Sequence, residues 1–275
     1  MLSSLSSGVS GLESFQQDMN VIGNNIANIN TTGFKAGTVD FADSLSNTLK
    51  GASATATAEQ VGTGVQITAI DNNWNQGAIA STGVPSQLAI QGNGFFEVAD
   101  PANPTDKFAT RDGTFKVNAA GNLVTAGGYD VQGYTAGGAT LGSVKVNSDP
   151  AKPAVSMVSY TIDSSGNINV AQSDGTTYVS GQVLLTNVAD PHQLINEGHN
   201  LYSNLTAAGA SALAVPGSAT SGLGQIQASA LESSNVDLSN EMANLITAQR
   251  AFEANSKIIT TSNEVLQTLV QMKQG

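Results

Sequence analysis

The residues best suited to chemistry are the two histidines, which stand seven apart in DPHQLINEGHN (Asp190 to Asn200). Imidazoles four apart on one helical turn, with a glutamate between them, would suit a zinc protease. A spacing of seven does not, and Pro191 and Gly198 break any helix through His192 and His199. The chain has no cysteine, so a thiolate metal site, a cysteine nucleophile and a disulfide framework are excluded. GVSG at Gly8 lacks the frame of a nucleophile elbow and lies in a helical pattern. GTGVQI at Gly62 lacks the third glycine of a dinucleotide loop. The 21 carboxylates are scattered, and no pair is singled out for glycoside hydrolysis. The expectation is a chain without catalytic or metal-binding residues and without a cofactor, one that supplies structure and surface.

Composition narrows the partners. The 275 residues carry a formal net charge of −11, which phosphate backbones would repel, so nucleic-acid binding is not expected. Only 11% of residues are charged, and Gly, Ser, Thr, Asn and Ala abound, as in secreted β-rich surface proteins. No Lys or Arg precedes Lys35, and Glu13 and Asp18 interrupt the apolar positions, so no cleaved secretory signal is read. No apolar run reaches the length of a membrane span.

The two ends carry matching patterns. At the N-terminus Leu5, Leu12, Met19 and Ile26 recur every seven residues, with a weaker row at Leu2, Val9, Gln16 and Gly23. At the C-terminus Leu238, Leu245, Phe252, Ile259 and Leu266 form one row. Met242, Gln249, Ser256, Asn263 and Val270 form a second row, half of it polar. Asp237 is placed to cap that helix, and no Gly or Pro interrupts residues 238–273, giving a helix of roughly 50 Å. Narrow seams at both ends suggest that the helices pair with each other as a coiled coil, the chain leaving and returning through it. Two ordinary helices packed on a globular body stand as the simpler alternative.

Between the ends the pattern is β-rich. VGTGVQITAI alternates as a strand, and Gly92-Asn93-Gly94 reads as a turn. FKVNAAGNL (Phe115 to Leu123) aligns with YTIDSSGNI (Tyr160 to Ile168), each reading as a hairpin closed by Asn or Asp and a glycine. Pro150 to Pro153 and Ala207 to Gly224 read as connections. The fold class expected is α+β: terminal helices in 1–36 and 230–275, and a hairpin-rich, Greek-key-like domain over 37–229 inserted between them.

Two further stretches carry a resemblance. VIGNNIANINTTGFK and ESSNVDLSNEMANLITAQRAFEANSKIITTSNEVLQTL strongly resemble the N- and C-terminal signatures of bacterial flagellar rod and hook proteins. QGAIASTGVPSQLAIQGNGFFEV, TRDGTFKVNAAGNLVTAGGYDVQGY and GQVLLTNVADPHQLINEGHNLY resemble the family in the same order. The positions that match its motifs are Asn24, Asn25, Asn28, Thr31, Thr32, Gly33, Phe34, Asn235, Asp237, Gln249 and Arg250.

The resemblance implies an axial structural subunit and no enzyme. Such a subunit is exported unfolded by the flagellar type III apparatus without a cleaved signal. It polymerises with itself into a helical tube outside the cell, in the hook or basal body, lined by the paired helices. Rod and hook–filament junction proteins and the hook cap would be its neighbours, with no membrane insertion. The seam residues named above would then form the coiled-coil and subunit interface, with Gln249, Ser256 and Asn263 between adjacent subunits. The Asn/Thr run would satisfy backbone groups where the helix ends, and would also bond to neighbouring subunits.

VQGY (Val131 to Tyr134) and ITTSNEVLQ (Ile259 to Gln267) favour a hook subunit. Only residues 135–159 stand where hook proteins carry a further outer domain, and this leaves a distal rod protein as the alternative. A reading of another class is a secreted β-rich adhesin with helical stalk ends.

Overall fold

The computed structural model describes residues 2–50, 59–135, 140–147, 155–218 and 221–274. It is α+β, with one long helix at each end of the chain and β structure between them. The chain divides into two compact units. Unit 1 comprises Met1–Ile29, Ala36–Asn73 and Val236–Gly275, and unit 2 comprises Asn30–Lys35 and Trp74–Asn235. Residues 37–73, expected with the inserted β-rich domain, therefore cluster with the helices.

Unit 1 holds α1 (Leu2–Ala27), the strands β1 (Gly37–Asp43), β2 (Ser46–Lys50), β3 (Glu59–Gly62) and β4 (Val65–Asn72), and α2 (Leu238–Gln274). β1 pairs antiparallel with β4, and β2 with β3, so residues 37–72 run out and back as paired strands. α1 lies against α2 and against the β1–β4 pair. Phe15 stacks at 5.7 Å on Phe41, and the Val65 amide donates to Ser10 Oγ at 3.3 Å.

The helices run antiparallel. Gly8 of α1 meets Ile259 of α2, Gly11 meets Asn255, and Phe15 to Ile22 share a cleft with Glu241 to Ala248. Asp237 caps α2 as its position predicts, accepting from the Ser239 amide at 2.8 Å and the Asn240 amide at 3.4 Å.

Burial separates the rows of the two helices. Leu5, Leu12, Met19 and Ile26 on α1, and Leu245, Phe252, Ile259 and Leu266 on α2, are half-buried. Their companion rows lie three residues on, at Gly8, Phe15 and Ile22 and at Ala248, Asn255 and Ser262. The rows expected four residues on are mostly exposed: Val9, Gln16 and Gly23 on α1, and Gln249 and Asn263 on α2. Met242 is 50% and Val270 57% exposed, and Ser256 is half-buried. Beside Phe15 and Ile22, small and polar residues such as Gly8, Ala248, Asn255 and Ser262 occupy the covered side, and apolar periodicity does not register them. Leu238, at the start of α2, is also exposed.

Unit 2 opens with β5 (Ile79–Ser81), β6 (Leu88–Gln91), β7 (Phe95–Ala99), β8 (Lys107–Thr110), β9 (Lys116–Val117), β10 (Leu123–Val124), β11 (Asp130–Thr135) and β12 (Leu141–Ser143). It continues with β13 (Met157–Ile162), β14 (Asn167–Gln172), β15 (Thr177–Val183), β16 (Leu185–Thr186), β17 (Ile195–Gly198), β18 (Leu201–Ser203), β19 (Gln225–Ala228) and β20 (Ala230–Glu232). Twelve of these described strands form one sheet along β13-β14-β15-β11-β7-β8-β18-β17, with β10 and β12 beside β11, β16 beside β7, and β9 beside β10. The late strands β19 and β20 pair back with the early strands β6 and β5.

β7 is central and buried on both faces. Phe96 and Val98 enter the main core with Leu88, Phe115, Leu123, Val131, Ile168 and Leu185. Phe95 enters a second cluster with Ala109, Leu194 and Tyr202. A strand apolar on both faces cannot show clean alternation in sequence.

The two aligned hairpin motifs close alike. Asn118 Oδ1 accepts from the Ala120 and Asn122 amides, and Asp163 Oδ1 from the Ser165 and Asn167 amides, each at 2.9 Å. Gly121 and Gly166 take φ of 82° and 81°, where a Cβ would be strained. Residues 136–139, 148–154, which include Pro150 to Pro153, and 219–220 lie outside the described residues.

Candidate functional site

The first signature sits where α1 ends. Asn28 Nδ2 donates to the Asn24 carbonyl at 3.0 Å and to Asn24 Oδ1 at 2.6 Å, adding to the bond that the Asn28 amide makes to the same carbonyl at 3.1 Å. Asn25 is buried and binds Gly37 twice: its Oδ1 accepts from the Gly37 amide at 2.9 Å, and its Nδ2 donates to the Gly37 carbonyl at 2.8 Å. One amide side chain thus replaces a strand partner at the start of β1. Asn25→Ala is expected to cost about 1–3 kcal/mol by leaving both Gly37 groups unpaired. Urea denaturation followed by far-ultraviolet circular dichroism checks this, and an unchanged midpoint would contradict it.

The rest of that signature belongs to unit 2. The Thr32 carbonyl accepts from Asn200 Nδ2 at 2.8 Å, and the Phe34 amide donates to the Thr31 carbonyl at 3.4 Å. Gly33 has φ +67° and donates to the Glu232 carbonyl at 2.8 Å; a Cβ there would lie 2.8 Å from the Arg111 carbonyl carbon. Only glycine meets both demands. Asn235 donates from its backbone to the Phe34 carbonyl at 3.4 Å and from Nδ2 to the Asn75 carbonyl at 3.0 Å. Gln249 is exposed, and Arg250 makes a surface pair with Glu253 at 2.8 Å, which contributes little.

At the centre of these segments is a charge cluster that residue patterning did not single out. Lys35 Nζ lies 2.6 Å from Glu232 Oε1, and both side chains are only 1% exposed. Arg111 Nη1 lies 3.3 Å from Glu232 Oε2, with its side chain 7% exposed. Lys35 also donates to the Asn75 carbonyl at 2.9 Å, and the Gly77 amide donates to Glu232 Oε1 at 2.9 Å. Arg111 stacks over the Phe95 ring at 5.1 Å, inside an aromatic group in which Trp74 meets Phe95 at 5.4 Å and Tyr202 at 5.2 Å.

Burial lowers the pKa of Lys35 and of Arg111, opposed in each case by Glu232. Burial pushes the Tyr202 phenol up to about 12, with the Arg111 charge pulling the other way. The nearby Asp112 carboxyl is raised by burial, against two hydrogen bonds from Thr114. Most polar atoms placed here bond to another part of the chain, while Arg111 Nε and Trp74 Nε1 are buried without a hydrogen-bond partner. Among the described residues no group of three or more His, Cys, Asp or Glu could hold a metal ion. His192 lies in the one-turn segment Pro191–Gln193, and His199 in a left-handed turn at φ 53°. No helix among the described residues is long and apolar enough to cross a membrane.

Three family models match the chain: the flagella basal body rod protein over residues 5–35, the flagellar hook protein FlgE/F/G D1 domain over 89–170, and the flagellar basal body rod FlgEFG protein C-terminal region over 227–272. The flagellar basal-body rod protein FlgG of Bacillus subtilis (strain 168) is 40% identical, with all of both chains covered. FlgG of Agrobacterium fabrum is 34% identical over 95% of each chain. The flagellar hook protein FlgE of Borreliella burgdorferi is 45% identical, over 50% of this chain and 32% of its own. These relatives are structural proteins of the flagellum. The end-to-end likeness includes the segments that carry Asn25, Gly33, Lys35, Arg111 and Glu232, and the chain belongs to the flagellar basal-body rod and hook protein family.

Proposed function

We propose that the chain is the distal rod subunit of the flagellar basal body, a self-assembling structural protein. The observation that carries this reading is the extent of likeness: rod proteins named FlgG match 95–100% of the chain, whereas the hook protein matches 50% of it. The hook subunit, favoured by VQGY and ITTSNEVLQ, becomes the second reading. Among the described residues only β12 stands between β11 and β13, where a hook protein would carry its further outer domain.

As a rod subunit the chain leaves the cell unfolded through the flagellar export apparatus, without a cleaved signal, and stacks with copies of itself between the rest of the rod and the hook. α1 and α2 form the inner coiled coil, with Leu5, Leu12, Met19, Ile26, Leu245, Phe252, Ile259 and Leu266 on its internal seam. The exposed row Met242, Gln249, Asn263 and Val270, with Leu238 and Ser256, faces helices of neighbouring subunits. Replacing Gln249, Ser256 and Asn263 together by leucine is expected to make the polymer more resistant to dissociation by heat, since each leucine buried between subunits adds roughly 1.5–3 kcal/mol. Polymers of unchanged melting temperature would remove this row from the interface.

Deletion of the gene followed by electron microscopy of isolated basal bodies tests the assignment. Basal bodies ending within the rod are expected. A complete rod without a hook would make the chain the hook subunit. Intact flagella would bring forward the adhesin reading.

A further inference from the structure

Lys35, Arg111 and Glu232 come from three separate places in the chain. The Lys35–Glu232 contact spans 197 residues and the Arg111–Glu232 contact 121. Glu232 is the carboxylate paired with both cations, and all three side chains are nearly sealed from water. A cation sealed in the interior without its counterion is strongly disfavoured, and two such cations disfavour each other further.

We propose that Glu232 is a folding latch: the segments carrying Lys35 and Arg111 dock into unit 2 only when the C-terminal segment brings the Glu232 carboxylate between them. Backbone contacts form along the same line. The Gly33 amide donates to the Glu232 carbonyl, the Gly77 amide to Glu232 Oε1, the Ser233 amide to the Ala78 carbonyl and the Asn235 amide to the Phe34 carbonyl. The turn holding Arg111 docks through the Leu88 amide on the Gly113 carbonyl at 3.1 Å, a contact that does not itself need residue 232. By contrast, the β13–β14–β15 hairpins pair consecutive strands, from Ile162 with Ile168 to Asn167 with Gln182, and have no need of the latch.

A chain whose first 231 residues are present therefore holds local hairpins but leaves Lys35 and Arg111 in water. Unit 2 stays incomplete until its last strand, β20, arrives. The value of this delay to a subunit exported unfolded rests on the rod reading above; the coupling itself does not.

Pulse-labelled hydrogen exchange during refolding of the full chain separates the two. The Leu88 amide is expected to gain protection in the same late phase as Gly77 and Ser233, after the β13–β15 amides. In E232Q the late phase is expected to be lost, with Leu88 and Gly33 exchanging at least tenfold faster than in the unaltered chain. In the uncharged triple variant K35M/R111M/E232M, Leu88 is expected to move into the early phase with the hairpins. The latch is overturned if Leu88 is protected early in the unaltered chain, if E232Q keeps native protection at Leu88 and Gly33, or if the triple variant leaves Leu88 in the late phase. None of these readouts depends on polymerisation, so a failed rod assignment leaves the test intact.

Discussion

Glu232→Gln is expected to destabilise unit 2 by about 3–5 kcal/mol, the usual cost of removing one partner from a buried ion pair. The neutral amide keeps the volume of the side chain, so packing changes little. Lys35 and Arg111, both sealed in the intact cluster, would then have no carboxylate to hold them there. Lys35→Met should be milder, about 1–2 kcal/mol, because Glu232 keeps Arg111 and the Gly77 amide, and the cluster then balances one cation against one anion. The asymmetry follows from having two cations and one anion. Trp74, the single tryptophan, sits on Phe95 and Tyr202 beside Arg111, so its fluorescence in a urea titration reports this region directly. Equal losses in the two variants would show that the charge balance does not govern the cluster.

Phe96→Ala is expected to cost a further independent 3–5 kcal/mol, a figure on the order of other large-to-small changes at fully buried aromatic sites. Phe96 is 0% exposed, lies on the central strand β7 and meets Phe115 edge to face at 5.0 Å. Leu185, its cross-strand partner, and Ile168 in the same core come from strands distant in sequence, so they cannot collapse easily into the space left. Leu141→Ala is the control: that side chain is largely exposed, and surface substitutions of this kind stay within about 0.5 kcal/mol. A loss below about 1 kcal/mol for Phe96→Ala would mean that β7 is not the centre of the core. The phenylalanine variant and the Glu232 variant can share one titration series, since both report on unit 2 through Trp74.

What was legible in the sequence was local. The span of α2 and its cap at Asp237 follow from an uninterrupted run of helix-tolerant residues behind a carboxylate. The twin hairpins follow from Asn118 with Gly121 and Asp163 with Gly166, because a turn is satisfied by atoms within four residues of one another. The heptad rows on Leu5 and Leu245 were visible for the same reason. Their companion rows were not, since Gly8, Ala248, Asn255 and Ser262 are covered because the helices approach closely, and small or polar residues carry no apolar signal. The strands β1 to β4 read as β structure, yet nothing in their pattern tells which body they join.

The charge cluster marks the boundary most sharply. Lys35, Arg111 and Glu232 each stood inside a stretch that resembled the family, in a chain with few charges. A buried lysine and a solvated one look alike in sequence, and the pairing of positions 35, 111 and 232 has no local trace. Sequence by itself therefore determined the fold class, the helix at each end, the hairpin turns and the flagellar family, because each rests on spacing within a few turns or on the resemblance of whole segments. Tertiary structure alone decided which helix rows are covered, where residues 37–73 belong and which three charges meet, because those outcomes depend on contacts between separate segments, from 55 residues apart for Ser10 and Val65 to 197 for Lys35 and Glu232, where desolvation and packing act only after the chain has folded.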